Sequence, residues 1–223
     1  MYLQVVGASI DDIKQINQSN ADSIAFCKNP EVGGLTPSLD DILLANQVVQ
    51  KPINIMIRTS EHGFVFTEYE LKKQIRTIEM ISELANISGI VVGVLNDDFS
   101  INEKFLEEVN KVKKHLKVTF HQAFDQAKDF KKALKILEKY KVDLVLTSIG
   151  INPEQDLEVL KELKNLKTSV EILITGLTVK DHLKQALTVS KDFQIDLIAR
   201  VEPNWNAKIS IDNINDFKSW KDE

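Results

Sequence analysis

The sequence is poor in cysteine, with Cys27 as the single one among 223 residues. One cysteine excludes an intrachain disulfide and suits a reducing compartment. The first residues, from Met1 to Gln4, also lack a cationic segment followed by an apolar run, so no signal peptide is expected. These absences predict a cytoplasmic protein.

Positive charge is in the minority as well. The 28 Lys and Arg residues face 33 Asp and Glu residues, which gives a formal net charge of -5 and a pI near 5.5. No basic run with interleaved aromatic residues occurs, which argues against a nucleic-acid partner. No apolar stretch is long enough to span a bilayer, so no membrane partner is expected either.

Glycine is also scarce, yet two of the eight glycines, Gly33 and Gly34, are adjacent. Adjacent glycines predict a tight turn or a close approach of the backbone to another group. We therefore treat Gly33, Gly34 and the nearby Thr36 as candidate contacts to a substrate. A phosphate-binding loop is weakly supported, because no lysine follows at the required spacing.

What the sequence does contain is a regular alternation of short apolar runs and longer amphipathic ones. Strands are predicted at residues 2–7, 22–27, 53–58, 90–95, 117–121, 142–147, 171–175 and 194–199, and helices at 11–18, 39–49, 71–84, 102–115, 130–140, 157–166 and 178–190. About eight strand–helix alternations predict an α/β fold of the TIM (β/α)8 type, with a doubly wound open sheet as the alternative. No linker or change in composition divides the chain, so residues 1–223 are predicted to form one domain.

Residues 201–223 depart from this alternation and carry both tryptophans, Trp205 and Trp220. A short strand near Ile209 and a helix around residues 214–220 would close one end of the barrel. A contact that forms a homo-oligomer is the other possibility, and the sequence leaves both open.

The alternation within single strands predicts which side chains face the barrel interior. Isoleucines occupy positions 53, 55 and 57, while Asn54, Met56 and Arg58 share the opposite face. The isoleucine face should meet the helices, so the other face points inward. The same argument adds further residues to the interior: Gln4, Ser23, Ala25, Cys27, Thr119, His121, Gln194, Asp196 and Arg200.

An interior this polar is unusual, since barrel interiors are generally filled by branched apolar residues. Each buried polar group without a partner costs roughly 1–3 kcal/mol. The set therefore predicts a site or a wet cavity, unless a satisfied internal hydrogen-bond network accounts for it.

Residues at the carboxyl ends of the strands would line the mouth, where barrel enzymes keep their chemistry. They are Cys27, Arg58, Asn96, His121, Ser148, Thr175 and Arg200. Arg58 is the strongest candidate for binding an anion, since a guanidinium can hold a carboxylate or phosphate through two hydrogen bonds. An internal ion pair with Asp125 or Asp196 is its alternative role. Asn96, Ser148 and Arg200 are further candidate substrate contacts.

His121 leaves an apolar strand and is followed closely by Asp125. Such a pair can act as a general acid/base and the carboxylate that orients it. With Arg58 as anion clamp, this predicts a catalytic set of His121, Asp125 and Arg58. The competing interpretation is a hydrogen-bonded histidine of the core or rim.

Several short blocks, taken together, resemble the signature of the CutC family. They occur in the family's order and near its spacing between Tyr2 and Thr175, and they are Cys27, the segment 33–38, Met56-Ile57-Arg58, Gly93-Val94-Leu95, Thr119-Phe120-His121 with Ala123-Phe124-Asp125, and Leu146-Thr147-Ser148. The resemblance implies a cytoplasmic TIM-type barrel linked to copper homeostasis. The family is often described as copper-binding, and its molecular activity is unsettled.

The chain departs from the family pattern at several interior positions. Gln4 and Ala25 stand where the family usually has acidic residues, Ser23 where it has arginine, and Asn54 where it has histidine. Losing acids and bases together keeps the interior free of unpaired charge. This departure implies an altered or weakened site.

Copper, as the resemblance implies it, would be held as Cu(I) by Cys27 and Met56 with His121 as a supplement, because Cu(I) favours soft sulfur ligands. The competing interpretation is that both sulfur side chains simply fill the core. The functional alternatives are a TIM-barrel enzyme that acts on a small anionic metabolite by acid/base chemistry, and a non-catalytic binding role with the C-terminal segment as an interface.

Overall fold

The computed structural model describes residues 1–148, 156–176 and 186–220. The strands are β1 Tyr2–Gly7, β2 Ser23–Phe26, β3 Ile53–Met56, β4 Gly89–Val92, β5 Lys117–Phe120, β6 Leu144–Thr147, β7 Glu171–Ile174 and β8 Asp192–Ile195. Each strand pairs in parallel with the next, and β1 pairs with β8, so the sheet closes into a barrel. The TIM-type prediction is confirmed, and closure rules out the open sheet.

The helices lie between the strands and follow the predicted pattern closely. They are α1 Ile10–Asn17, α2 Leu39–Val48, α3 Glu68–Ile81, α4 Glu103–Val112, α5 Phe130–Lys139, α6 Asp156–Lys164 and, after β8, α7 Ile211–Ser219. Local capping explains several starts: Ser38 accepts a hydrogen bond from the Asp41 amide, and Thr67 forms a capping box with Glu70. The helix predicted at 178–190 lies mostly outside the described residues.

The largest boundary error concerns the eighth strand, predicted at 194–199. It spans Asp192–Ile195, and Leu197–Ala199 is a short 3-10 helix instead. The Asp196 carboxylate accepts the Leu197 amide at 2.5 Å, which caps this turn and ends the extended strand. The last helix was also predicted too late, because Ser210 caps it and α7 begins at Ile211.

The inward and outward faces agree with the strand alternation. Leu3, Ile24, Ile55 and Phe120 lie in the large core between strands and helices. On the other face, the register pairs Met56 with Val91, Val91 with Thr119 and Thr119 with Leu144. Partners in register share a face of the sheet, so these side chains point into the barrel.

The hydrogen-bonded polar side chains of the barrel interior are concentrated on one side. There, hydrogen bonds run from Tyr2 to Ser23 (2.7 Å), from Gln4 to Ser23 (3.2 Å), from Gln194 to Gln4 (2.7 Å) and from Thr175 to Gln194 (3.0 Å). We call these five residues the interior chain. The other side is filled by Val91, Leu144, Leu146 and Leu173. For the interior chain, the satisfied network is therefore the correct interpretation.

The C-terminal segment packs onto the barrel through α7. Ile214 is fully buried, Phe217 meets Phe193 at a ring-centroid distance of 5.9 Å, and Lys218 donates to the Met1 carbonyl at 2.6 Å. These contacts agree with the predicted closing helix, while the homo-oligomer stays a prediction. Across the described ranges, no helix is both long and apolar enough to cross a membrane.

Candidate functional site

A cavity of about 170 Å³ opens at the carboxyl ends of the strands, where the sequence predicted a site. Its lining includes seven of the residues predicted for the site or the mouth, and they are Cys27, Gly33, Gly34, Met56, Arg58, His121 and Thr175. Gln194 and Asp196, which were predicted to face the interior, line it too, whereas Phe64 and Trp205 were not predicted there.

Arg58 is buried, with 4% of its surface exposed, and its terminal nitrogens are already used. Nη1 donates to the carbonyls of Val32 (2.7 Å) and Gly34 (3.4 Å), and Nη2 donates to that of Glu61 (3.1 Å). The terminal nitrogens therefore hold the surrounding loops, and the predicted binding of an anion by Arg58 stays a prediction. The alternative ion pair is not formed among the described residues, since these nitrogens bind carbonyls. Only Nε has no partner there.

The glycine pair makes this arrangement possible. Gly33 and Gly34 have φ angles of +85° and +83°, which residues with a side chain rarely adopt. A Cβ at Gly33 would lie 3.1 Å from Nη1 of Arg58. Thr36 then fastens the loop, since its Oγ1 accepts from the Arg58 amide at 2.8 Å. Thr36 thus positions Arg58 and does not itself line the cavity.

His121 lies directly beside Arg58, and its ring is held in one tautomer. Nδ1 accepts the amide of Ala123 at 3.1 Å, so in the neutral ring the proton sits on Nε2. Within the described residues Nε2 has no hydrogen-bond partner. Burial, with a smaller contribution from the Arg58 charge, lowers the pKa of His121 from 6.5 to about 3. The ring is therefore neutral at pH 7.

Two residues that the sequence did not single out as functional fix this pair in place. The Phe64 ring lies 4.9 Å from the His121 ring and 5.1 Å from Cζ of Arg58. Gly93 packs under the imidazole so closely that a Cβ there would lie 2.2 Å from Cε1 of His121. An isolated glycine in an apolar run signals close approach, although not to which residue.

Asp125 does not orient His121, so that prediction is wrong. Its carboxylate accepts hydrogen bonds from Thr147 Oγ1 (2.5 Å) and from both the amide and the hydroxyl of Ser148 (2.8 and 2.5 Å). The cause is the 3-10 turn Gln122–Gln126, which places the Ala123 amide on His121 and turns Asp125 toward the end of β6. Asp125 and Ser148 thus join two strand ends outside the cavity lining.

Asn96 and Arg200 are likewise used within the protein. Asn96 donates to Ser100 (2.9 Å) and to the Ile101 carbonyl (3.2 Å), which folds its own loop. Arg200 forms a buried ion pair with Asp12 at 2.8 Å and lies 5.1 Å from the Trp205 ring. Neither lines the cavity, but Trp205 does. The place of Trp205 in the cavity lining could not be predicted, because residue 205 lies in an irregular loop.

Cys27 and Met56 come together at the cavity, as predicted from adjacent strands. A Cβ at Gly34 would lie 3.2 Å from both Sγ of Cys27 and Cε of Met56. Burial raises the pKa of the Cys27 thiol to about 12, so the free thiol is protonated at pH 7. In the part of the chain that the structure describes, no cluster of three or more His, Cys, Asp or Glu residues could hold a metal.

Comparison with known proteins identifies similar sequences over most of the chain. The model of the CutC family matches residues 1–188. A family protein CutC from Mesorhizobium japonicum is 32% identical over 146 residues, covering 66% of this chain and 56% of that protein. One from Bacteroides fragilis is 27% identical over 218 residues, covering 97% and 84%. The match thus spans less than two thirds of the Mesorhizobium relative.

Solved structures share the fold. The copper homeostasis protein CutC from Streptococcus agalactiae superposes with a TM-score of 0.79 at 23% identity, covering 88% of this chain and 98% of that one. A 2,3-dimethylmalate lyase of the PEP mutase/isocitrate lyase superfamily gives a TM-score of 0.62 at 11% identity, covering 88% and 75%. At these identities the likeness shows a common barrel and nothing about the ligand.

Proposed function

We propose, from the premise that this chain belongs to the CutC family, that it serves copper homeostasis by binding Cu(I) at the sulfur atoms of Cys27 and Met56. The name of the Streptococcus agalactiae structure supports the copper role. The observation that carries the proposal is the convergence of both sulfur side chains on Gly34.

The path of the chain explains this convergence. Cys27 follows β2 and Met56 ends the neighbouring β3, and the loop after Cys27 folds back so that Lys28 and Leu35 pair. Gly34 then lies against both side chains, where any larger residue would take the space between them. A thiolate and a thioether side by side are the soft ligands that Cu(I) prefers.

His121 is a poor third ligand as it stands. A coordinating imidazole needs a free lone pair, but Nδ1 accepts the Ala123 amide and Nε2 carries the proton. The donor set is therefore the two sulfur atoms. Because Cys27 is protonated without metal, Cu(I) binding would release one proton, and the apparent affinity would rise with pH.

Anaerobic titration with Cu(I) against a competing chelator tests the proposal. Cys27→Ser and Met56→Leu should each weaken binding by at least about tenfold. Met80→Leu is the matched control, because Met80 is 50% exposed on α3 and should bind copper as the wild type does. Unchanged affinity in Cys27→Ser would remove the proposed site.

A small anionic metabolite is the second candidate ligand. Arg58 brings a buried positive charge to the cavity, and the neighbouring Nε2–H of His121 has no partner among the described residues. Acid/base catalysis by His121 is not supported, since a pKa of about 3 leaves the imidazole unable to hold or pass a proton efficiently near pH 7. A thermal-shift screen of small carboxylic acids tests this candidate, and the absence of any stabilising acid would contradict it.

A further inference from the structure

We infer that His121 is a fixed, neutral hydrogen-bond donor, which with Arg58 selects a ligand carrying a carboxylate. This inference rests on the second candidate function and gives His121 a role other than proton transfer. It stands on the geometry around the imidazole.

The first step is the tautomer. The turn Gln122–Gln126 begins immediately after His121, and the amide of Ala123 points back at Nδ1 with a nitrogen–nitrogen distance of 3.1 Å. An amide can only donate, so Nδ1 must present its lone pair. The proton of the neutral ring is therefore on Nε2, and the backbone of the chain decides this.

The second step is the surplus donor. His121 is 96% buried and lines the cavity, and Nε2 has no hydrogen-bond partner among residues 1–148, 156–176 and 186–220. A buried N–H without an acceptor is costly and rare in folded proteins. An acceptor atom on a ligand would satisfy it.

The third step is rigidity. Gly93 lies below the ring, where a Cβ would fall 2.2 Å from Cε1 and 2.3 Å from Nδ1, and Phe64 lies 4.9 Å away on the ring-centroid measure. The imidazole has little room to turn between these neighbours. A donor held in one direction favours a ligand with an acceptor in one place.

The fourth step is charge. The terminal nitrogens of Arg58 bind neutral carbonyls and form no ion pair among the described residues, although the charge of the nearby Glu61 acts on the guanidinium and raises its pKa against the lowering by burial. Asp196 is the one carboxyl group in the described lining; its Oδ1 accepts the Leu197 amide, and burial raises its pKa. The combination of an N–H donor and a guanidinium favours a small anion over a neutral molecule.

Binding of oxalate and acetate, with acetamide as the uncharged match for acetate, tests the inference. Trp205 lines the cavity, so its fluorescence in a Trp220→Phe background reports binding. Cys27→Ser is added to that background so that trace copper cannot contribute. We expect both carboxylates to bind, acetamide to bind at least about tenfold more weakly than acetate, His121→Leu to lose about tenfold in affinity, and His121→Gln, which keeps an N–H donor, to lose less.

A nitrogen-15 spectrum of the wild-type imidazole gives a readout that needs no substitution. The Nε2–H tautomer should be present without ligand, and oxalate should shift the Nε2 proton. An Nδ1–H tautomer, or carboxylate binding that survives His121→Leu unchanged, would overturn the role of His121. Failure of both carboxylates to bind would overturn the small-acid candidate itself, and neither result would touch the copper proposal.

Discussion

The interior chain and the cavity mouth are both polar and buried, yet they differ in whether every buried polar atom has a hydrogen-bond partner. The interior chain links Tyr2, Ser23, Gln4, Gln194 and Thr175 in sequence, and none of its buried side-chain atoms is left without a partner. Gln194 and Thr175 also line the cavity, but among its other lining residues Arg58 and His121 each keep one buried nitrogen unpartnered within the described residues.

The difference teaches how to separate structural from functional polar residues in a barrel. A closed chain of hydrogen bonds is complete without a ligand, so its members contribute mainly to stability. Residues with leftover donors are incomplete alone, which is the condition for recognition. Substitutions can test this contrast, because they should change stability in the interior chain and binding at the mouth.

Filling the space at Gly93 should give the largest effect on stability. In Gly93→Ala the new Cβ would overlap the His121 ring, and we expect a loss of about 3 kcal/mol in the free energy of unfolding by urea. Gly7→Ala is the control, since its Cβ would meet neighbours no closer than 3.4 Å. Adding His121→Ala should recover part of the loss. Equal effects of the two glycine substitutions would show that the ring does not rest on Gly93.

Breaking the interior chain should cost somewhat less. Gln4→Met keeps the volume but leaves the Nε2 group of Gln194 without its acceptor, and we expect a loss of about 2 kcal/mol. The double variant with Gln194→Met should cost less than twice as much, because the Gln4–Gln194 hydrogen bond is lost only once, although Thr175 then also loses its acceptor. Exposed Gln15→Met is the control. If Gln4→Met also weakened copper or carboxylate binding, the interior chain would not have a purely structural role.

The sequence could predict the barrel because periodicity is local. The alternation around Ile53, Ile55 and Ile57 reports which face meets the helices, and it placed Met56 and Arg58 inward correctly. The predicted interior was too polar, because the alternation argument was not applied to the strands that carry Val91, Leu144 and Leu173.

The partners within the site could not be predicted, because they depend on turns and loops. Whether His121 meets Asp125 or the Ala123 amide is decided by one 3-10 turn. Phe64 and Trp205 reach the mouth from connections whose course leaves no periodic signal. Arg58 lies where it was predicted, but the loop carbonyls that its terminal nitrogens bind could not be predicted from residue types.

The loss of stability at acidic pH should depend on His121, which is buried and neutral in the folded protein. Its pKa is lowered to about 3 in the folded protein from 6.5, so it contributes stability above pH 6.5 that is lost as the pH falls toward 3. In that window the unfolded chain binds one more proton. The wild type should therefore lose about 1.4 kcal/mol more per pH unit than His121→Gln, measured by urea unfolding. Parallel slopes would show that the ring titrates as if solvated.

The smallest effect on stability near pH 7 concerns Cys27, for which the readout is the reactivity of the thiol. Burial raises its thiol pKa to about 12, so the thiolate fraction should rise about tenfold per pH unit and show no plateau up to pH 10. Alkylation by iodoacetamide measures this directly, because Cys27 is the sole cysteine. The same protein unfolded in urea is the matched control, and its rate should level off above about pH 9. A plateau near that pH in the folded protein would mean that the thiol is solvated, contrary to the burial of Cys27 in the structure.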